Sequence, residues 1–259
     1  MTRSVRRRAR FALIATPVLG LVASLVAVSL PSPQERAEVR AADRVAVRYE
    51  QDLDAAASRF GERVVTIVRA NTDDFERALK LVQERTRSVP RIPERGTTDY
   101  GREHSDRFQE ARSRRDLALR PYLRLVRTLR AAVPIQEFIE AGTRAIRINP
   151  TKLLSDVVVV DGSPLRDIVV PRYRKARQDL KKHPAPPGSE VLGRDLDRYV
   201  KDAITSAQEG ADDIDAGLPF FFDFGRRPQD LQRRLVSLQA TLASQVLQVL
   251  DETSTPTSE

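Results

Sequence analysis

Residues suited to metal or nucleophilic chemistry are scarce in this sequence. It has no cysteine, and its two histidines are His104 and His183. A hydrolytic metal site needs three or four His, Cys or carboxylate ligands at constrained spacing. A Ser-His-acid set would have to recruit one of these histidines, and no G-x-S-x-G motif is present. We therefore predict no catalytic residues and no metal site.

Cofactor motifs are also missing. Neither G-x-x-x-x-G-K nor G-x-G-x-x-G occurs, so no loop is predicted to hold a nucleotide phosphate. Asp223-Phe224-Gly225 has the letters of the kinase magnesium motif, but the other kinase motifs are absent. We predict that the protein binds no cofactor and is not an enzyme.

One stretch resembles part of a known enzyme family. SDVVVVDGSPLRDIVV, residues 155–170, is similar to the segment that closes many metal-dependent amidohydrolases. That resemblance implies a histidine-rich barrel of alternating strands and helices, for which this chain lacks the histidines. We interpret the similarity as convergence on a hairpin-like pattern.

Aromatic residues are concentrated in one loop. GLPFFFDFGRR, residues 217–227, holds four of the nine phenylalanines. One interpretation is a hydrophobic plug that closes the end of a helical bundle. The other is an exposed tip that contacts a membrane or a partner. The candidate contact residues are Phe220, Phe221, Phe222, Phe224, Arg226 and Arg227.

Arginines recur every four residues near the start of the predicted bundle, at Arg36, Arg40, Arg44 and Arg48. Such a stripe next to a bilayer can bind anionic lipid head groups. It can equally be a solvated face with ordinary pairs, Arg40 with Asp43 and Arg48 with Asp52. A second basic set, Arg120, Arg124 and Arg127, is a candidate partner for the acidic run Glu209, Asp212, Asp213 and Asp215.

The N-terminal segment predicts the location. Residues 1–10 contain five arginines and no acid. Residues 11–30 carry no charge, and this apolar run is as long as a transmembrane helix. We predict a cytoplasmic N-terminus, a single-pass signal anchor at 11–30 and an extracytoplasmic remainder. A cleaved signal peptide, with export of the rest, is the alternative. Of the net charge of +8, only +3 then belongs to residues 11–259, so nucleic acid is not an expected partner.

The remaining chain reads as amphipathic helices. Ser32-Pro33-Gln34-Glu35 predicts a capping box, followed by heptad-like apolar spacing. Either the first helix continues past residue 70 with a stutter, or it breaks at 71–73, where Asp73 and Glu76 could cap a second helix. We expect a helix over 105–133 bent at Pro121 and a separate helix opened by Pro134. Further helices are predicted over 171–182, from Ser189 and from Pro228. Residues 156–170 fit either a short β-hairpin or a helix start at Ser163-Pro164.

These observations predict an all-α protein: a transmembrane helix, an elongated antiparallel bundle over 31–252 and a disordered tail at 253–259. The predicted function is protein-protein contact at the cell envelope, through a partner protein or a homo-oligomer. The alternative is a membrane-proximal module that binds a small ligand or lipid.

Overall fold

The computed structural model describes residues 31–254, and 79% of these are helical with no strand among them, which confirms the predicted all-α bundle. The elements are α1 (Pro33–Ala70), α2 (Phe75–Ser88), α3 (Asp99–His104), α4 (Asp106–Ile146), α5 (Pro150–Leu153), a π-helical turn (Leu165–Val169), α6 (Val170–Lys182), α7 (Glu190–Asp215) and α8 (Arg227–Ser254).

The described residues do not include the predicted anchor. No helix within 31–254 is long and apolar enough to cross a membrane. Residues 1–10 and the apolar run 11–30 lie outside this range. At the other terminus α8 continues to Ser254, so the first two residues of the predicted tail are helical.

Helix α1 begins as the sequence predicts. The Ser32 hydroxyl accepts from the Glu35 amide at 3.1 Å, and the Glu35 carboxylate accepts from the Ser32 amide at 2.5 Å. This capping box satisfies two amides that the first helical turn leaves without a partner. Of the two alternatives at residues 71–73, the structure has the break: α1 ends at Ala70, and Asp74 rather than Asp73 caps α2 by accepting from the Arg77 amide.

Helix α4 is longer than predicted. It runs without a break for 41 residues and contains both Pro121 and Pro134, so the separate helix expected after Pro134 is wrong. A proline removes one intrahelical hydrogen bond and frees a carbonyl four residues earlier. Both prolines are on the exposed side, where water can solvate that carbonyl, while Phe138 and Ile139 remain buried on the opposite side.

Helices α1 and α4 run in the same direction. Asp43 contacts Ser105, Glu50 contacts Arg107, and Phe60 packs on Tyr122, so the residue numbers rise together along both helices. Helix α2 returns the chain, since Phe75 binds Gln136 and Thr86 binds Arg115. The bundle is therefore not entirely antiparallel, in contrast to the prediction from the sequence, because α1 and α4 are parallel. Apolar periodicity predicts which face of a helix is buried but not the direction in which the helix runs.

The second half of the bundle packs on the C-terminal part of α4. Gly142 lies between Leu196 of α7 and Leu235 of α8, and a Cβ there would be 3.0–3.2 Å from their methyl carbons, closer than ordinary van der Waals contact. Helix α8 runs antiparallel to α4 and α7. Arg227 at the start of α8 pairs with Asp202 of α7, and Glu252 near the end of α8 pairs with Arg124 of α4. Helix α4 is therefore the element that joins the two halves.

The hairpin alternative for residues 156–170 is wrong. Leu165, Val169 and Val170 are buried, a spacing of four and five residues that belongs to a helix rather than to a strand of period two. Residues 163–170 form the helical start that the Ser163-Pro164 alternative describes. The valine run before it forms a loop, with no partner strand among the described residues.

Candidate functional site

The phenylalanine loop lies between α7 and α8 and divides its side chains between two faces. Phe220, Phe222 and Phe224 are half-buried against the core, whereas Phe221 is 84% exposed. Alternate residues of an extended chain point to opposite sides, which explains the division. Three phenylalanines are thus placed as a plug would be, and the fourth as an exposed contact residue would be.

The three inward rings form a continuous row. Phe220 meets Phe222 edge to face at a centroid distance of 4.8 Å, and Phe222 stacks on Phe224 at 5.8 Å. Phe224 then contacts Tyr199 of α7 at 5.7 Å. Aromatic pairs in these geometries contribute about 0.5–1.5 kcal/mol each beyond the burial of their area. The row fixes the loop along α7, and Phe221 with it.

Two tyrosines form the inner end of this row. Burial raises the pKa of Tyr173 strongly, and burial also raises the pKa of Tyr199. Tyr173 donates to the Ile148 carbonyl at 3.2 Å, so its hydroxyl is satisfied. Both phenols therefore stay neutral across the physiological pH range, which suits a structural role.

The two arginines at the end of the loop are placed differently. Arg227 begins α8 and pairs with Asp202 of α7 at 2.5 Å. Arg226 is exposed, next to Gly225, whose φ is +55° and whose amide is bound by the Asp223 carboxylate. Of the two candidate contact arginines, Arg227 is thus engaged within the bundle.

A second loop is attached to the end of α7. The Gly162 amide donates to Asp215 Oδ1 at 2.6 Å, and Arg166 Nη2 donates to Asp215 Oδ2 at 2.7 Å and to Asp212 Oδ1 at 2.6 Å. The bond from Gly162 and then that from Arg166 lower the pKa of Asp215. A Cβ at Gly162 would lie 2.3 Å from the Ala211 carbonyl oxygen, so only glycine permits this approach.

The two loops bring exposed apolar side chains to the same end of the molecule. Among the described residues, nine large apolar side chains are exposed, and five of them are in these loops. Val158 is 82% exposed and Val160 is 80% exposed, close to the 84% of Phe221. We call Val158, Val160, Leu218 and Phe221 the apolar tip.

The apolar tip is surrounded by acidic residues. The segments 152–167 and 209–226 contain eight acidic residues and three basic ones, although the chain as a whole is basic. Arg166 is occupied by Asp212 and Asp215. The tip therefore combines exposed apolar surface with an acidic rim.

The arginine stripe is exposed along α1, and its arginines do not form the ion pairs that the sequence suggested. Asp43 accepts from the Ser105 hydroxyl at 2.6 Å, and Glu38 accepts from the Thr98 hydroxyl at 2.7 Å. Arg40, Arg44 and Arg48 are exposed and form no ion pair within residues 31–254. Glu38 and Asp43 are thus bound by hydroxyls of other segments, whereas Arg40, Arg44 and Arg48 face solvent.

The other charged residues and the two histidines that the sequence analysis named do not come together in one site. Arg124 pairs with Glu252, whereas Arg166 binds the acidic run at 212–215. His104 stacks on Tyr100, and His183 lies 3.3 Å from Glu137. Within the described part of the chain, no three His, Cys, Asp or Glu residues are grouped to hold a metal ion.

Of the two loops that form the apolar tip, the sequence indicated only the phenylalanine loop. The phenylalanine loop was recognisable from its composition, but the four valines at 157–160 pointed to a strand. Their exposure follows from the contact between Gly162 and Asp215, which are 53 residues apart and carry no local signal.

Comparison with known proteins gives no relative: no family model, no curated protein and no solved structure matches the chain. Its function is therefore inferred from its own residues.

Proposed function

We propose that the protein is a single-pass membrane protein whose elongated extracytoplasmic bundle presents the apolar tip to another protein, without catalysis. The observation that carries the proposal is the position of Val158, Val160 and Phe221. Each is at least 80% exposed. Val158 and Val160 precede Gly162, which binds Asp215, and Phe221 follows Phe220, which lies against Gly210, so all three are near the C-terminal end of α7. Exposed apolar clusters with a polar rim mark interaction sites on soluble domains.

The length of the helices supports a tip far from the bilayer. At about 1.5 Å per residue, the path from Pro33 along α1, α4 and α7 to Asp215 amounts to about 100 Å. Along this path α1 meets α4 at Asp43 and Ser105, and α4 meets α7 at Gly142 and Leu196. If residues 11–30 cross the membrane, Phe221 is too distant to enter that same bilayer.

The charge of the tip favours a protein over a lipid surface. Bilayers that carry anionic lipids repel acidic segments within a Debye length of about 8 Å. The excess of acidic residues around the tip therefore opposes membrane insertion and also opposes pairing with the tip of a second copy. A partner with an apolar centre and basic surroundings is the complement that these residues require.

Photo-crosslinking in the cells that make the protein tests the contact. A photoreactive amino acid at position 221 or 160 is expected to form a protein adduct, and the adduct at 160 is expected to weaken when Phe221 is changed to Ser. Leu117 of α4, which is 57% exposed, is the matched control position. The proposal is wrong if positions 221 and 160 give only lipid adducts, or no more protein adduct than position 117.

The absence of cysteine permits a clean test of topology. Single variants Ser4→Cys and Ser237→Cys are treated with a membrane-impermeant maleimide in intact cells. Ser237 lies on the exposed side of α8, and we expect only Ser237→Cys to be labelled before permeabilisation. Labelling of Ser4→Cys alone would place the bundle on the cytoplasmic side.

A second candidate function, lipid or small-ligand binding next to the membrane, is favoured by a cavity at the start of α1. It has a volume of about 410 Å³ and is lined by Pro31, Arg36, Val39, Arg40, Tyr100 and His104. The exposed arginine stripe, Arg36, Arg40, Arg44 and Arg48, continues from this cavity along α1. An anionic lipid head group next to an apolar wall fits this combination.

Retention of lipid by the protein tests this second candidate. The chain is reconstituted in nanodiscs of phosphatidylcholine with or without one fifth phosphatidylserine, and native mass spectrometry records the retained lipid. We expect preferential retention of phosphatidylserine that falls when Arg36 and Arg40 are both changed to Gln. Equal retention of both lipids, or unchanged retention in the double variant, would contradict this second candidate function.

A further inference from the structure

A groove on the side of the bundle forms a second candidate binding surface. It has a cavity volume of about 790 Å³ and lies between α6, the segment 183–188 and α7. Phe138, Leu180 and Ala185 supply apolar lining. Gly193 permits the close approach of the 183–188 segment, because a Cβ there would lie 2.7 Å from that of Ala185. The volume is within the range of about 300–1,000 Å³ typical of ligand sites.

The acidic residues of this groove are already engaged. Asp197 accepts from Arg177 at two points, with distances of 2.7 Å and 3.1 Å. Asp202 pairs with Arg227 at 2.5 Å, and Glu190 accepts from the Gly188 amide at 3.0 Å. Each carboxylate thus has a partner other than the basic residues that line the groove.

The basic residues of the groove are left in excess. Lys181, Arg194, Arg198 and Lys201 are exposed, and none forms an ion pair within 31–254. The last three are spaced by four and three residues, so they share one face of α7. The hydrogen bond from Arg177 is the main cause of the lowered pKa of Asp197, and Lys181 and Lys201 add to it. The groove is thus lined by four basic residues and three acidic ones, and the three acidic ones already have other partners.

We propose that this groove binds an acidic segment, with apolar side chains, from another protein. The lining residues from Glu190 to Asp202 extend for about 18 Å along α7, at about 1.5 Å per residue. An extended peptide of about six residues covers that length, at about 3.3–3.6 Å per residue. Carboxylates would pair with Arg194, Arg198 and Lys201, while apolar side chains contact Phe138, Leu180 and Ala185.

The groove is distinct from the apolar tip in position and in charge. Phe138 and Gly193 mark it about two thirds of the way along the path from Pro33 to Asp215, whereas the tip lies at the far end of α7. Tip and groove have opposite charge, so the same partner surface does not suit both. The acidic tip of a second copy is the competing occupant, and the experiment separates it.

Fluorescence anisotropy on the full chain in phosphatidylcholine nanodiscs tests the proposal. The probe is a labelled six-residue peptide of alternating Glu and Leu, and peptides of Gln and Leu or of Glu and Ser serve for comparison. We expect the Glu-Leu peptide to bind at least tenfold more tightly than either of the other two. Equal binding of the Glu-Ser peptide would show that apolar side chains do not contribute and would contradict that part of the proposal. Absence of Glu-Leu binding would overturn the whole proposal.

Two triple variants with the same change in charge test the location. Arg194→Gln, Arg198→Gln and Lys201→Gln together are expected to weaken binding at least tenfold. The matched control changes three exposed arginines of α4, Arg112, Arg120 and Arg130, to Gln and is expected to alter binding less than twofold. Equal loss in both variants would show non-specific charge attraction and would contradict the groove site.

A further variant separates this inference from the function proposed for the tip. Phe221→Ser is expected to leave peptide binding unchanged, even if it abolishes crosslinking at the tip. Analytical ultracentrifugation of the nanodiscs measures self-association with and without peptide. Self-association that the peptide and Phe221→Ser both abolish would identify a second copy as the occupant and would contradict binding of another protein.

Discussion

Gly210 of α7 lies directly against the ring of Phe220, so that a Cβ at position 210 would come within 2.5 Å of three ring carbons. No residue other than glycine leaves Phe220 in place. The contact positions the outer end of the aromatic row and, with it, the backbone that exposes Phe221.

Gly210→Ala is expected to destabilise the protein by about 1–3 kcal/mol, because the methyl group forces the Phe220 ring away from α7. The gain in helix propensity from glycine to alanine offsets about 1 kcal/mol at most. Thermal unfolding measures the change, and Thr205→Ala on the exposed side of α7 is the control. A variant as stable as the native protein would show that the ring does not occupy this position.

Phe224 and Phe221 are expected to respond differently to substitution. Phe224→Ser removes a ring that contacts Tyr199, Tyr173 and Phe222, and we expect a loss of about 2–4 kcal/mol. Phe221→Ser changes a side chain that is 84% exposed and is expected to alter stability by less than about 0.5 kcal/mol. Chemical denaturation of both variants provides the measurement. Equal losses would contradict the division of the loop into two faces.

Asp215→Asn is expected to loosen the valine loop without unfolding the bundle. The variant weakens the carboxylate's bonds to Gly162 and Arg166, so the Gly162 amide loses protection in hydrogen exchange. The matched variant Asp213→Asn, two residues earlier on α7, is expected to keep that protection, since Gly162 and Arg166 bind the carboxylate of Asp215 and not that of Asp213.

The same contact predicts a dependence on pH. The pKa of Asp215 in the folded protein is lowered, chiefly by the Gly162 amide and then by Arg166. The stabilisation is therefore complete above the unfolded pKa of about 3.9 and is lost as the pH falls through the lower folded value. We expect the protection factor of Gly162 to be constant from pH 7 to 5 and to fall below about pH 4. A decrease between pH 7 and 5 would contradict this assignment.

Ser105 joins the start of α4 to α1, and its removal is expected to be costly. It is buried, its hydroxyl donates to Asp43 at 2.6 Å, and the same oxygen accepts from the Phe108 amide at 3.0 Å. Ser105→Ala removes a helix cap and a hydrogen bond to a carboxylate, for an expected loss of about 2–3 kcal/mol. Ser113→Ala, on the exposed side of α4, is the control and is expected to cost less than about 0.5 kcal/mol in thermal unfolding.

Local patterns in the sequence were sufficient to predict much of the fold. The capping box at Ser32 and Glu35 located the start of α1, because both partners lie within one helical turn. Apolar spacing likewise predicted that Leu53, Leu196 and Leu235 are buried. The continuous α4 was not predicted, because the cost of Pro134 depends on whether its side of the helix faces water.

What the sequence determined by itself is the class of the molecule: an all-α chain with few residues for metal or nucleophilic chemistry and one loop rich in phenylalanine. Only the tertiary structure decided the parallel course of α1 and α4, which phenylalanine is exposed, and the position of the valine loop beside α7. Helix formation depends on residues three or four apart, whereas these features depend on contacts such as that of Gly162 with Asp215, between residues distant in the chain.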